Sequence, residues 1–161
     1  MRKFTTILAW LVTLVALRII TPLTTYLTTL ADNALMSAMV GKTPSTTFPA
    51  SGLYLGWFTT NPAMPAGTGG VEVTTGQVTN YARLNVPATA FATPAAGVEA
   101  TNTAETFPAS TGGTGATVVG AGWFDALTGG NLWACVPVTS FSWATGVAPS
   151  VASAAASFTE A

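Results

Sequence analysis

Groups able to act as nucleophiles or proton carriers are scarce in this chain. There is no histidine among its 161 residues, which removes a Ser–His dyad, a histidine general base and the common zinc sites. The single cysteine, Cys135, lies in Leu132-Trp133-Ala134-Cys135-Val136. With no second thiol to pair with and no imidazole to activate it, it reads as a small buried apolar residue. The carboxylates Glu72, Glu99, Glu105, Asp125 and Glu160 are scattered. Glu99 and Glu105 are an even number of residues apart and could share one face of a strand, the least that paired-carboxylate glycoside chemistry requires. Two solvated strand residues are the commoner outcome of that spacing. Glycine clusters at 67–70 and 112–115 lack both the Lys-Ser/Thr ending and the strand-to-helix setting of a phosphate loop. These residue types predict a protein that is not an enzyme, with no catalytic residues, no cofactor and no metal.

The densest polar group in an apolar setting is the stretch from Gly122 to Trp133. Trp123 and Phe124 lead into a polar tip with Asp125, Gly129, Gly130 and Asn131, and the chain then returns to Leu132-Trp133. A glycine pair followed by Asn supplies the positive-φ positions a tight turn needs, so the stretch predicts a central β-hairpin. Asp125 is expected to cap its own turn.

Around that hairpin the chain reads as short strands punctuated by Gly and Pro. Leu53 to Thr60 is apolar on both faces, which suits an inner strand, and Asn61-Pro62 stops it. Val71 to Val78, Tyr81 to Val86, Gly97 to Phe107, Val118 to Phe124, Leu132 to Val138, Phe141 to Trp143, Val147 to Val151 and Ala152 to Phe158 supply further candidates. Evenly spaced short strands predict a mainly β fold, an antiparallel β-sandwich of jelly-roll type, over residues 43–161. Its expected core includes Leu55, Trp57, Leu84, Val86, Phe107, Trp123 and Leu132.

Residues 1–42 predict one or two helices ahead of this domain. Phe4 to Leu17 is apolar apart from three threonines, with Ile7, Leu8, Trp10, Leu11, Leu14, Val15 and Leu17 as its large side chains. A secretory signal would need a small-x-small cleavage site, and Ala16-Leu17-Arg18 offers none. A membrane span needs about 20 apolar residues, which here means including Arg18. A helix buried against protein accepts the short run, so these seven residues are expected to serve assembly. Thr21-Pro22 looks like a fresh helix start, with Leu23, Leu27, Leu30, Ala34 and Ala38 at helical spacing and Gly41 at the end. This amphipathic helix is expected to pack on the β domain or on its own symmetry mates.

Charged residues make up only 7% of the chain, a composition that suits a protein packed in an assembly. Arg2, Lys3, Arg18 and Lys42 oppose Asp32 in the first 42 residues, whereas Arg83 alone opposes the five acids of the remainder. Five scattered cations form no basic stripe, so nucleic acid is not an expected partner.

Several phrases occur in an order that resembles a family of small tailed-bacteriophage virion proteins. They are Leu53-Tyr54-Leu55-Gly56-Trp57-Phe58-Thr59-Thr60-Asn61-Pro62, Tyr81-Ala82-Arg83, Thr101 to Pro108, and Gly122-Trp123-Phe124-Asp125 with Thr128-Gly129-Gly130-Asn131-Leu132. The resemblance spans about residues 23–158. It implies a non-catalytic structural component of the virion, with a capsid decoration protein on the capsid surface as the first expectation. A tail-fibre or tail adhesion protein is the alternative. It also implies a homo-oligomer, with three copies favoured, and partners such as the major capsid protein. A pilin-like or membrane-anchored filament subunit at the cell surface shares the plan of hydrophobic start and Thr-rich β domain. Pilins, however, are cut between Gly and Phe and carry a glutamate near the helix start, where this chain has Lys3-Phe4 and Leu8.

Overall fold

The computed structural model describes residues 26–43, 49, 51–93, 98–152 and 157–159. Within them the chain is mainly β and antiparallel, with one α-helix near its start. Strand β2 (Gly52–Thr60) lies inside a six-stranded sheet, as its two apolar faces suggest. One edge pairs with β7 (Ala116–Phe124), from Tyr54 opposite Phe124 to Phe58 opposite Gly120. The other edge is shared. β4 (Leu84–Pro87) takes its first half, and β3 (Val71–Glu72) takes its last residues. β7 continues through the turn at 125–131 into β8 (Leu132–Trp143), and β1 (Tyr26–Leu27) lies beyond β8. Two ribbons complete the described strands: β5 (Val98–Ala100) with β10 (Ser157–Thr159), and β6 (Glu105–Thr106) with β9 (Ser150–Val151).

The main core covers one face of the sheet. Leu55 and Trp57 from β2, Val86 from β4, Val118, Ala121 and Trp123 from β7, and Ala134 and Trp143 from β8 form one buried cluster. Phe107, just after β6, is buried in it, and Val151 of β9 packs against it, so the β6–β9 ribbon covers the sheet in a sandwich-like arrangement. The rings interlock: Trp57 meets Phe107 at 5.5 Å and Phe141 edge-on at 5.3 Å, and Phe107 meets Trp143 edge-on at 5.5 Å.

Leu84 only flanks this cluster, and Leu132 packs on the opposite face beside Phe58, Phe124 and Cys135. A bulge explains Leu132. Trp123 opposes Ala134 and Phe124 opposes Leu132, which leaves Trp133 as the extra residue. Trp133 is thereby turned toward the helix, where it buries Ala31 and Ala34.

That helix, α1, spans Thr29–Met39 and does not begin at Thr21-Pro22. Sheet pairing overrides the local start signal, because Tyr26 and Leu27 are engaged opposite Cys135 and Ala134. Thr28 makes the junction. Its amide donates to the Trp133 carbonyl at 2.9 Å, and its hydroxyl donates to the Leu132 carbonyl at 2.9 Å and accepts from the Ala31 amide at 3.3 Å. At the other end the amides of Gly41 and Lys42 close on the carbonyls of Ala38 and Ser37, a Schellman ending.

Three strand expectations also shift. Phe141 to Trp143 is the end of β8 and not a separate strand. The stretch from Gly97 to Phe107 contains two short strands with different partners. Val71 to Val78 contributes only its first two residues to the sheet.

Candidate functional site

The hairpin tip and the strands facing it bring together the most connected polar group among the described residues. Its base is a trough. Gly56 of β2 and Gly122 of β7 lie opposite each other on the face away from the main core. A side chain at Gly122 would collide with the Phe58 ring and with Leu132, and one at Gly56 would press on Phe124, Glu72 and the Tyr81 hydroxyl. Lacking side chains, the two glycines let these larger groups lie down on the sheet.

Arg83 lies over this trough, with its guanidinium carbon 3.4 Å from the centre of the Phe124 ring. Its Nε donates to Glu72 Oε1 at 2.9 Å and one terminal nitrogen donates to Oε2 at 2.8 Å, a two-pronged ion pair. The other terminal nitrogen donates to the carbonyls of Ala126 at 2.8 Å and Gly129 at 2.6 Å. Arg83 therefore ties β3 to the hairpin turn. Tyr81 completes the group. Its hydroxyl donates to Glu72 Oε1 at 2.7 Å and accepts from the Trp57 amide at 3.0 Å. Burial, then the Glu72 charge and the hydrogen bond to it, push the Tyr81 hydroxyl far above its ordinary value.

The turn is held from within as well. Gly129 and Gly130 have φ of +62° and +70°. Asp125 accepts from the Asn131 amide and side chain, both at 2.7 Å, and from the Trp133 indole at 3.2 Å. Partial burial pulls the Asp125 carboxyl up, but these donors outweigh it and hold it below its usual value. Trp123 is buried in the main core, and Phe124 supports Arg83 from below. Of the hairpin residues named from sequence, Phe124, Asp125, Gly129, Gly130 and Asn131 are brought to the clasp and its turn, whereas Trp123 points to the opposite face of the sheet.

Chemically this is a clasp. The bonds of Arg83 go to protein acceptors. Tyr81 is held neutral. Open hollows on either side are lined by Phe58, Pro62 and Leu132, and by Val73, Ala82 and Leu127, with Glu72 and Arg83 as the charged residues on their walls. Those two already bond each other. Cys135, beneath Phe58 and Phe124, is buried, and burial pushes its thiol up to about 11.

Glu72, Tyr81 and Arg83 were not singled out as a site by sequence reasoning. One signal was present: Arg83 is the only cation between residues 43 and 161, and a lone cation among five acids is a natural clasp. Glu99 and Glu105, the pair weighed for glycoside chemistry, lie on separate ribbons with different partners. Ile7, Leu8, Trp10, Leu11, Leu14, Val15 and Leu17 fall outside the described residues. Among those described, no helix is long and apolar enough to cross a membrane.

The profile of a family described as "Podophage GP4 fiber I protein gp80" matches residues 26–158. No curated protein matches the chain.

Proposed function

The chain belongs to the podophage GP4 fiber I protein family, and on that premise we propose that it is a non-catalytic structural subunit of a tail fibre. Membership makes it a structural protein of a tailed-phage virion. The family's fibre description supports a place on the tail in preference to the capsid surface, the first expectation from sequence. The observation that carries the non-catalytic part is the clasp. The best-organised polar group among the described residues holds the hairpin turn against β3 and directs its bonds inward. The partners that follow are other tail proteins and not the major capsid protein. The apolar residues from Ile7 to Leu17 belong to the same proposal as a surface for assembly with those proteins.

Gold-labelled antibody raised against residues 43–161, imaged on purified virions by electron microscopy, tests the position. Label confined to the tail is expected. Label distributed over the capsid would restore the decoration reading, and label absent from intact virions would remove the structural role.

A further inference from the structure

Helix α1 uses its side chains in an unusual way. The face packed on Trp133 is made of small residues, Ala31 and Ala34. The large apolar residues Leu35, Met36, Met39 and Val40 are exposed, Met39 at 72% and Val40 at 65%. With ~3.6 residues per turn Met36 and Met39, continued by Val40 at the C-cap, lie on the side turned away from Ala31 and Ala34, and Leu35 borders them one turn after Ala31. They form four of the seven exposed large hydrophobic residues among those described, gathered in six consecutive positions. A monomer gains nothing from that arrangement, and such a stripe marks a contact surface.

Charge selects the occupant. Asp32 is exposed at the head of the same stripe, and Lys42 is exposed just past its end. They are the only charged residues from 26 to 43. We propose that the α1 stripe packs against the α1 stripe of a second copy of this chain, the two helices running antiparallel. Asp32 of each copy then faces Lys42 of the other, and Met36 faces Met39. The contact is self-complementary, with the same patch used on both sides. Antiparallel helices also set the positive end of each macrodipole beside the negative end of its partner. This contact does not depend on whether the virion carries the protein on its tail or its capsid.

Cross-linking of the full chain tests the geometry directly. Met36→Cys and Met39→Cys variants carrying tags of different size are mixed and oxidised; buried Cys135 stays out of the reaction. The mixed 36–39 product is expected to exceed both same-site products several-fold. Asp32→Lys should cut its yield several-fold, and the double variant Asp32→Lys/Lys42→Asp should restore it. These positions are exposed, so far-UV circular dichroism should be unchanged in every variant. Dominant same-site products would overturn the antiparallel contact. Absence of any cross-link in folded protein would overturn the proposal altogether, the stripe then being covered by another part of the chain or by a different partner.

Discussion

Along β2, Leu55 and Trp57 enter a bed of interlocked aromatic rings, while Gly56 between them faces Glu72, Phe124 and the Tyr81 hydroxyl. The same three strands, β2, β7 and β8, therefore carry two unlike faces. One is filled by volume: four of the chain's largest side chains, Trp57, Phe107, Trp123 and Trp143, are almost fully buried there. The other carries a smaller cluster of Phe58, Phe124 and Cys135 laid over glycines and spanned by a single arginine. Burial of apolar area is non-directional, so the first face supplies stability without fixing how the hairpin sits. Hydrogen bonds from one guanidinium to Ala126, Gly129 and Glu72 are directional, so the second face fixes the position of the turn. Most of the buried volume and the directional bonds to the turn thus lie on opposite sides of one sheet.

The contrast can be broken most directly by removing volume. Trp123→Ala should cost about 3–5 kcal/mol, read as a lower denaturant midpoint. Arg83→Met should cost less, about 2–3 kcal/mol, because Glu72 keeps some contact with water and is only partly stranded. Adding Glu72→Leu to Arg83→Met should return most of that loss, since no charge is then left unpaired. If the double variant remained as unstable as the single, the clasp would be a source of stability and the division between faces would fail.

Gly129 has open space around it, whereas a side chain at Gly130 would meet the Asp125 carboxylate and the Ala126 methyl. Gly130→Val should therefore cost about 2 kcal/mol and Gly129→Val about 1 kcal/mol, both measurable in thermal melts. Equal losses would show that backbone strain alone decides.

The smallest effect is a pH limb. Tyr81 resists ionisation in the fold, so above its unfolded pKa of about 10 the unfolded chain releases a proton that the folded chain keeps. Its contribution is complete below that pH and falls as pH rises further. Cys135, raised to about 11, acts with the same sign from about pH 8.5. Tyr81→Phe should leave the earlier decline and flatten the later one in denaturation midpoints measured between about pH 8 and pH 11. An unchanged profile would place Tyr81 outside the clasp.

Much of this was legible in the residues. The inner position of β2 followed from its two apolar faces, the β7–β8 hairpin from Gly129-Gly130-Asn131, and the helix end from Gly41. What escaped was set by partners distant in sequence. Thr21-Pro22 has good local start chemistry, but Tyr26-Leu27 is taken by β8 and Thr28 becomes the cap. Thr139-Ser140 separates the two strands expected at Leu132 to Val138 and Phe141 to Trp143, yet β8 runs through it. Beyond Cys135 no described strand covers the outer edge of β8, so a proline and a shift in register are tolerated there. The main face was readable because periodicity reports burial. The clasp was not, because nothing local to Tyr81-Ala82-Arg83 says where residue 126 or 129 will be.

The order in which strands are joined also bears on how the chain assembles in time. β7 and β8 are separated by the seven residues 125–131, whereas β2 and β7 are separated by the 55 residues 61–115. Closing the longer connection costs about 2 kcal/mol more in chain entropy. The hairpin is thus expected to form early, with β2 docking onto it as the slow, non-local step. Arg83 lies within that long connection and can reach Ala126 and Gly129 only when it closes, so the guanidinium acts as a latch on the final step. Stopped-flow refolding should then show Arg83→Met mainly speeding unfolding, while a substitution at Gly130 slows folding.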